Sequence, residues 1–426
     1  MSHILRRRDF LAAGAATVLA AADPSKKARI GIVGTGGRGS GLLRILLTID
    51  GVEVPALCDI SAENLARAQE VVVKAGRPKP EGYSGDDEYR KLMARDDLDA
   101  VIIATPWELH TPMAVQSMKS GKYTAVEVPA ALTLAECWQL VDTCEQTKVP
   151  CMMLENWSFR RDNLAELNMI RRGLLGEIVH CHCAHSHDCL YWYFDKDGNP
   201  RWTGRHLIRR NADQYPTHSL GPVLSWMDIN CGDAFAYVTS TASRSLGINR
   251  GLAQKHGPDH PGAKLKYAQG DIITSVVKTQ KGNTLVINND MQLPRPYDNR
   301  WMIQGTQGVY SEDRNSVYIE GRSPKYEEWE PFGPYQEEFD HSWYKAMRGR
   351  STEEGHGGPD YLELIRFVEA VHAGAPPPID VYDSVTMSAI IPLSEQSIDK
   401  GSAPVPCPDF TRGKWKTKKP YFALEG

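Results

Sequence analysis

The sequence predicts an α/β nucleotide-binding domain followed by an α+β domain whose open sheet is largely antiparallel. Three observations predict this arrangement. A glycine-rich turn follows an apolar segment that begins near residue 29, and apolar and amphipathic segments then alternate as far as residue 155, which is typical of a parallel sheet with crossover helices. Beyond residue 175, β-rich segments follow one another without intervening helices, which is typical of an antiparallel sheet.

The glycine turn reads Gly34-Thr-Gly36-Gly37-Arg38-Gly39. Gly34 permits the tight turn, Gly36 lets the backbone approach a pyrophosphate, and Gly39 lets the following helix pack close to the strand. The first amides of that helix, at Gly37 and Arg38, then face the phosphates, where the helix dipole favours negative charge. We therefore expect this turn to bind a dinucleotide.

A carboxylate at the end of the second predicted strand completes the motif. Asp59 lies 20 residues after Gly39. At this spacing an acidic side chain accepts hydrogen bonds from the ribose 2′-hydroxyl of NAD and repels the 2′-phosphate of NADP. A glycine turn alone is a weak signal, but the strand before it, the helix after it and this acid together predict a Rossmann domain that binds NAD.

Length and charge set the broad class of the protein. The chain has 426 residues, of which 41% are apolar, and can bury two cores. We place the NAD-binding domain at residues 27–155 and a substrate and oligomerisation domain at residues 156–426. The formal net charge of −4 and the lack of a long basic run argue against nucleic acid or a membrane as a partner. The nine cysteines have no disulfide-framework spacing and are expected to be small buried apolar residues.

Residues 1–22 are predicted to be an export signal. Arg6-Arg7-Arg8-Asp9-Phe10-Leu11 precedes an apolar stretch with small residues at its end, and this stretch is too short to span a bilayer. The paired arginines before x-Phe-Leu resemble a twin-arginine signal, which exports folded proteins. We expect a periplasmic or extracellular protein that leaves the cytoplasm with NAD bound, and a disordered N-terminus is the alternative.

The remaining elements follow in order. Helices are predicted over 42–48, 62–74, 113–120, 134–147 and 162–173, and strands over 99–105, 123–128 and 150–155. The second sheet is predicted from β-rich segments at 177–187, 235–247, 270–278, 283–292, 300–305 and 315–320, with late helices over 358–374 and 381–400 bracing it. Loops rich in Pro and Trp at 191–210 and 292–301 are expected to form walls of the substrate cleft.

Motifs at two strand ends resemble the glucose-fructose oxidoreductase and inositol dehydrogenase superfamily (Gfo/Idh/MocA). They are Ala104-Thr105-Pro106 with His110, and Glu127-x-Pro129, and a helix after residue 150 then enters a sheet domain. The resemblance implies that NAD is held in part by these strand-end residues, with Glu127 and Pro129 shaping the loop under the nicotinamide. The cofactor-binding residues so implied are Thr105, Pro106, His110, Glu127 and Pro129. A homodimer is expected by analogy with the superfamily alone.

Two departures from that superfamily point to a particular family. Its ordinary dehydrogenases carry Glu-Lys-Pro, in which the lysine relays a proton, and later an Asp-x-x-x-His pair. Here position 128 is Val, and the later site reads Tyr215-Pro-Thr-His218. These departures look like glycoside hydrolase family 109, whose characterised members are NAD-dependent α-N-acetylgalactosaminidases, and the resemblance covers nearly the whole chain. Further segments that carry it are Leu154-Glu155-Asn156, Gly204-Arg205-His206, Pro294-Arg-Pro-Tyr297, Gly355-His-Gly-Gly-Pro-Asp360-Tyr361 and Asp409-Phe-Thr-Arg-Gly-Lys-Trp415.

The family implies an unusual chemistry for a glycosidase. Tightly bound NAD takes hydride from carbon 3 of the sugar, and the resulting ketone acidifies the proton on carbon 2. A base removes that proton, the aglycone leaves carbon 1, water adds back, and the hydride returns, so NAD is not consumed. The implied partner is a glycan or another glycoside.

His218 and Tyr215 are the predicted catalytic pair. Because Val128 cannot carry a proton, another group must accept the proton of the carbon-3 hydroxyl as hydride departs. His218 is suited to this, since an imidazole titrates near neutral pH. Tyr215 precedes it by three residues and either shares the relay or binds a sugar hydroxyl. To act alone as a base, Tyr215 would need a depressed pKa.

Three further residues are predicted to contact the substrate or the cofactor. Glu155 ends the last strand of the first domain, where parallel sheets face the ligand crevice, so it binds sugar hydroxyls or the nicotinamide ribose, or else is a plain helix N-terminal acid. Tyr297 lies in a proline-rich loop and resembles a family substrate contact. Arg205 is expected to reach the cofactor or the sugar.

His185 stands where the family members have a catalytic tyrosine. A histidine still supplies acid–base capacity, but it can also indicate a different sugar or leaving group. The surrounding His180-Cys181-His182-Cys183-Ala-His185-Ser-His187 contains metal-ligand residue types. Strand alternation sends His180 and His182 to one face and the other four ligand types to the opposite face, so no metal is expected.

Two other functions stay open at this point. A conventional sugar dehydrogenase would use the same scaffold with net production of NADH, and Val128 argues against it. A non-catalytic sugar-binding protein would keep the fold without turnover, and the dense set of acid–base groups argues against that.

Overall fold

The first domain is built on a parallel sheet. The computed structural model describes residues 27–347 and 358–424, so the predicted export signal lies outside the described residues. The strand order is β4-β3-β1-β5-β6-β7, with β2 paired to β1. The strands are β1 (Ala28–Val33), β2 (Val52–Glu53), β3 (Ala56–Cys58), β4 (Glu81–Tyr83), β5 (Ala100–Ile103), β6 (Tyr123–Glu127) and β7 (Cys151–Leu154).

Helices connect these strands and cover the sheet. They are α1 (Gly37–Leu46), α2 (Ala62–Lys74), α3 (Tyr89–Met93), α4 (His110–Lys119) and α5 (Leu134–Thr147). Helix α5 begins at Leu134 because Thr133 and Glu136 form a capping box, which satisfies two otherwise unpaired amides. The chain order reverses between β3-β1 and β5-β6-β7, and parallel sheets bind ligands in the crevice at such a switch point.

A nine-stranded sheet forms the second domain, in the order β15-β14-β13-β12-β8-β11-β10-β9-β16. Neighbouring strands are antiparallel except β8 and β11, which are parallel. The strands are β8 (Ile178–Ser186), β9 (Phe235–Ala242), β10 (Ile273–Thr279), β11 (Thr284–Asp290), β12 (Met302–Gly305), β13 (Gly308–Ser311), β14 (Ser316–Ile319), β15 (Glu330–Pro331) and β16 (Val405–Pro406).

The remaining described helices lie beyond residue 160. They are α6 (Arg161–Arg171), α7 (Leu190–Tyr193), α8 (Trp202–Arg209), α9 (Thr217–Trp226), α10 (Gly247–His256), α11 (Pro261–Lys264), α12 (Gly333–Glu338), α13 (Ser342–Met347), α14 (Pro359–Ala373) and α15 (Val381–Asp399). Helix α15 packs on β9 of the second sheet and also on α5 and β7, and α14 packs on α1. Buried side chains of both domains therefore form one continuous core.

The predicted fold class is confirmed, and two local predictions were wrong. The segment 191–210 is not a loop, because it contains α7 and α8. The strand predicted over 235–247 ends at Ala242, and α10 begins at Gly247. The late helices brace the nucleotide domain as well as the second sheet. Among the described residues, no helix is both long enough and apolar enough to cross a membrane.

Candidate active site

The glycine turn has the geometry of an anion cradle. Gly34 has φ +89°, and a Cβ on Gly39 would lie 1.9 Å from the carbonyl oxygen of Gly34, so neither position accepts a side chain. At Gly37 a Cβ would meet nothing within 4 Å, and no side chain caps the first amides of α1. These residues fit the pyrophosphate of NAD, because amides at the start of a helix donate to phosphate oxygens.

Asp59 follows β3 and binds the glycine turn from behind. Its Oδ2 accepts hydrogen bonds from the amide of Thr35 at 2.6 Å and from the Thr35 hydroxyl at 3.1 Å, and its Oδ1 accepts from the amide of Ser61 at 2.8 Å. Each carboxylate oxygen has more than one lone pair, so contact with a ribose hydroxyl is still open to it. The ribose role of Asp59 stays a prediction, and its structural role in holding the turn was not foreseen.

Arg38 reaches the nicotinamide end of the crevice with its side chain. The guanidinium donates to Glu127 Oε1 at 2.5 Å and to Asp360 Oδ2 at 2.8 Å, and the Asn156 amide donates to Asp360 at 2.7 Å. Only the backbone amide of Arg38 is therefore left to face phosphate. Asp360 comes from α14, and it was quoted as part of a family motif without being recognised as a site residue.

His110 joins two loops that border the crevice. Its Nδ1 lies 2.7 Å from the carbonyl oxygen of Pro129, and its Nε2 lies 2.8 Å from that of Thr105. The side chain is buried, and burial lowers the pKa of His110. The role of His110 in binding NAD stays a prediction, and both of its ring nitrogens contact backbone carbonyl oxygens. Pro106 follows Thr105 and caps the next 3₁₀ turn, so these residues shape the crevice.

A hydrogen-bonded series of three side chains lies at the carboxyl end of the parallel sheet. Glu155 follows β7, and its Oε1 lies 2.8 Å from His218 Nδ1. His218 Nε2 lies 3.4 Å from the hydroxyl of Tyr215. In the tautomer whose Nδ1 donates to the Glu155 carboxylate, the lone pair of His218 Nε2 faces Tyr215. This is the arrangement of a general base that a carboxylate holds in place. The predicted pair and Glu155 are thus brought together from segments about 60 residues apart.

Glu155 is a positioning residue as well as a helix-capping acid. It is fully buried, and its side chain accepts hydrogen bonds from the amides of Trp157 at 3.1 Å and Ser158 at 2.9 Å, at the start of a 3₁₀ turn. A Cβ on Gly221, one turn after His218 in α9, would lie 1.8 Å from Glu155 Oε2. Glu155 therefore caps the turn, as the alternative interpretation expected, and also contacts His218. Position 221 must be glycine to leave room for the Glu155 carboxylate, which the sequence did not predict.

Burial keeps two of the predicted catalytic groups uncharged. Burial raises the pKa of Tyr215 above its ordinary value, so this tyrosine is not a base on its own. Burial, followed by the neighbouring His218 and His187, lowers the pKa of His185 well below its ordinary value. The His185 ring centroid lies 5.2 Å from that of His218 and 5.1 Å from that of Tyr215. His185 is thus a neutral imidazole beside the predicted pair.

Tyr297 packs beside His185. Its ring centroid lies 5.6 Å from that of His185, and its hydroxyl donates to Asn299 at 3.1 Å. Ion pairs from Arg295 to Asp290, at 2.8 Å, and to Asp298 hold the loop. The ring is 42% exposed and is available to a ligand. Asn299, which is buried between Tyr297 and β8, was not predicted.

Arg205 is not brought to this cluster. It lies on the exposed face of α8, and within residues 27–347 and 358–424 no hydrogen bond or ion pair ties it to the catalytic side chains. The buried face of the same helix instead carries His206, whose Nε2 lies 3.4 Å from Glu108 Oε1 and whose ring centroid lies 5.1 Å from that of Trp107. The sequence predicts a loop at this segment and therefore gives no helical phase that separates Arg205 from His206.

The histidines and cysteines of β8 alternate between the two faces of the sheet. Cys181, Cys183 and His185 are buried, whereas His180 and His182 are half-buried on the other face. In the part of the chain that the structure describes, no group of three or more His, Cys, Asp or Glu side chains is arranged to hold a metal ion.

The fold and the crevice define the class of protein: an NAD-binding Rossmann domain joined to a sheet domain, as in the Gfo/Idh/MocA oxidoreductases. Residues 28–155 match the family model described as "Oxidoreductase family, NAD-binding Rossmann fold". The fold is similar to that of levoglucosan dehydrogenase in complex with NADH and levoglucosan, with a TM-score of 0.69 and 19% identity over 90% of this chain and 100% of that chain.

Within that class, the chain belongs to glycosyl hydrolase family 109. Residues 159–417 match the model described as "Glycosyl hydrolase 109, C-terminal domain". The chain is 40% identical to a glycosyl hydrolase family 109 protein of Stenotrophomonas maltophilia, over 99% of both chains. It is 39% identical to an alpha-N-acetylgalactosaminidase of Tannerella forsythia, over 93% of this chain and 89% of that protein. The resemblance inferred from the motifs is confirmed, and the protein is a glycoside hydrolase.

Proposed function

We propose that this protein hydrolyses terminal α-N-acetylgalactosamine with NAD as a bound, unconsumed cofactor. The observation that carries the proposal is the series Glu155–His218–Tyr215, which lies beside Glu127 at the nicotinamide end of the crevice. Val128 occupies the place of the lysine that carries a proton in ordinary dehydrogenases of this class. The name of the Tannerella forsythia relative supports the sugar.

The bound NAD would supply a reversible hydride acceptor for carbon 3 of the sugar. His218 takes the proton of the carbon-3 hydroxyl on Nε2, directly or through Tyr215, and Glu155 stabilises the imidazolium that results. Because burial keeps Tyr215 protonated, its hydroxyl passes one proton to His218 as it accepts another. The same relay returns the proton when carbon 3 is reduced again.

Oxidation at carbon 3 makes the carbon-2 proton acidic, and His185 is the group proposed to remove it. Its imidazole is neutral, and its Nδ1 has no hydrogen-bond partner among the described residues. Loss of the carbon-2 proton forms a double bond between carbons 1 and 2 and expels the aglycone, which takes up a proton. Water then adds to carbon 1 while a proton returns to carbon 2, so hydrolysis is complete. Tyr297, which packs beside His185, offers its ring to the sugar.

The test is hydrolysis of an aryl α-N-acetylgalactosaminide by purified protein without added cofactor. His218→Ala should abolish release of the aryl group while bound NAD remains. His182→Ala is the matched control, because His182 lies on the other face of β8 and contacts Asn288, and it should keep the wild-type rate. Stoichiometric accumulation of NADH would instead establish a sugar dehydrogenase. If neither hydrolysis nor NADH production occurs with any of a panel of aryl glycosides, the protein is a non-catalytic sugar-binding protein.

A further inference from the structure

Helices α7 and α8, with the loop between them, form a structure that we call the clasp (residues 189–210). The clasp belongs to the second domain, where Cys189, Tyr193, Phe194 and Leu207 share a small separate core with residues of α10 and of the segments before β10 and after β11. Its other side faces the nucleotide domain. Because these side chains pack in a hydrophobic core of their own, the clasp is a packed structural element and not an irregular loop.

The clasp contacts the loop after β5 through aromatic rings that meet edge to face. Trp107, in the 3₁₀ turn that follows β5, is buried at 4% exposure. Its ring centroid lies 5.3 Å from that of Trp202 and 5.7 Å from that of Trp192, both in edge-on geometry. The pair His206 and Glu108, 3.4 Å apart, adds a second contact at the same place. Edge-to-face pairs of this kind stabilise an interface beyond the area that they bury.

The clasp also contacts the loop after β6. Arg210, at the end of α8, donates to the carbonyl oxygen of Leu132 at 3.3 Å and is fixed by three hydrogen bonds to Glu395 of α15. Leu132 lies three residues after Pro129. The clasp therefore bridges the two loops that border the crevice over the carboxyl ends of β5 and β6, where the nicotinamide half of a dinucleotide lies in this fold.

We infer that the clasp retains NAD during the catalytic cycle and between cycles. This inference rests on the proposed function, in which the cofactor that accepts a hydride must also return it and dissociation in between would leave the sugar oxidised. Departure of the nicotinamide requires the β5 and β6 loops to move away from the clasp, which breaks the contacts of Trp107 and of Leu132. Trp192, Trp202, His206 and Arg210 are thus the residues to which we assign cofactor retention.

The test measures release of NAD directly. Protein is loaded with excess NAD and desalted, and the NAD that appears in solution is followed with time. Trp202→Ala, which removes the ring against Trp107, should release NAD about tenfold faster than the wild type, and Trp202→Phe should restore most of the retention. Trp138→Ala is the matched control, because Trp138 is also half-buried and packs on one ring, Phe410, at 4.9 Å. It should release NAD at the wild-type rate.

Equal release rates for Trp202→Ala and Trp138→Ala would overturn the inference. If Trp202→Ala does not fold, Glu108→Ala decides in the same way: the Glu108 side chain is 51% exposed, and loss of its contact with His206 should speed release about twofold to fivefold. Because the protein is loaded before the measurement, these rates judge the clasp even if no hydrolysis is found, so failure of the proposed function is seen separately.

Discussion

A methyl group added at Gly221 should disable the proposed relay while the fold persists. The Cβ of Gly221→Ala would lie 1.8 Å from Glu155 Oε2 and 2.8 Å from the Ser158 hydroxyl. Real Cβ contacts are longer than about 3 Å, so Glu155 must shift by roughly 1 Å or more. That shift breaks the 2.8 Å contact with His218 Nδ1. A misplacement of about 1 Å costs on the order of a hundredfold in rate, and weaker hydrogen bonding of the buried carboxylate costs about 1–3 kcal/mol of stability.

The assay is steady-state hydrolysis of an aryl α-N-acetylgalactosaminide, with the melting temperature and the NAD content measured on the same samples. We expect kcat to fall about a hundredfold, with NAD still bound, because Gly221 lies behind Glu155 and outside the glycine cradle. Gly333→Ala is the control, since a Cβ at Gly333 meets nothing within 4 Å. If Gly221→Ala keeps kcat within about twofold of the wild type, the positioning role of Glu155 is refuted. A tenfold change in kcat corresponds to about 1.4 kcal/mol of activation free energy.

Three further predictions concern buried or cofactor-facing groups. Burial raises the pKa of Glu166 to about 8. The unfolded chain therefore loses this proton at lower pH than the folded protein, and the free energy of unfolding falls as pH rises from about 4.5 towards 8. In urea unfolding, Glu166→Gln should raise the free energy of unfolding by about 2–5 kcal/mol at pH 8 and change it little at pH 4. Burial lowers the pKa of His185, so stability falls as pH drops below about 6.5, and His185→Gln should flatten that acid limb in a series of melting curves. Asp59→Ala should weaken NAD binding and reduce the preference for NAD over NADP in equilibrium titrations, because alanine does not repel a 2′-phosphate. An unchanged ratio of the dissociation constants for NAD and NADP would contradict this.

The elements that the sequence predicts best are those with local signals at their ends. Helices 62–74 and 134–147 begin and end at the predicted residues, because Ser61 caps the first and Thr133 with Glu136 caps the second. Short strands such as β13 carry too few residues to show a pattern and were not predicted. Helix α15 is buried on nearly all sides, and its Ser384 and Ser388 accept hydrogen bonds from backbone amides of the first domain. Such a helix has no polar face to show which partner it packs against.

The sequence predicts site residues that have a reactive side chain and lie at a strand end or in a family motif. It does not predict contacts that depend on how distant segments pack. Tyr215, His218 and Glu155 were found from the residue types and the motif, but the contact between Glu155 and His218 joins distant segments. The need for glycine at position 221 follows from one close approach that no local pattern records. His206, and not Arg205, faces the interior because α8 has a particular helical phase.

The most direct test of the central claim is hydrolysis in heavy water without added NAD. The account predicts that the released sugar carries deuterium on carbon 2, since that proton leaves and is replaced from solvent during each cycle, while the hydrogen on carbon 3 returns from the cofactor. A product with ordinary hydrogen on carbon 2, formed at the same rate, would show that the bond is broken without oxidation of the ring and would contradict the account.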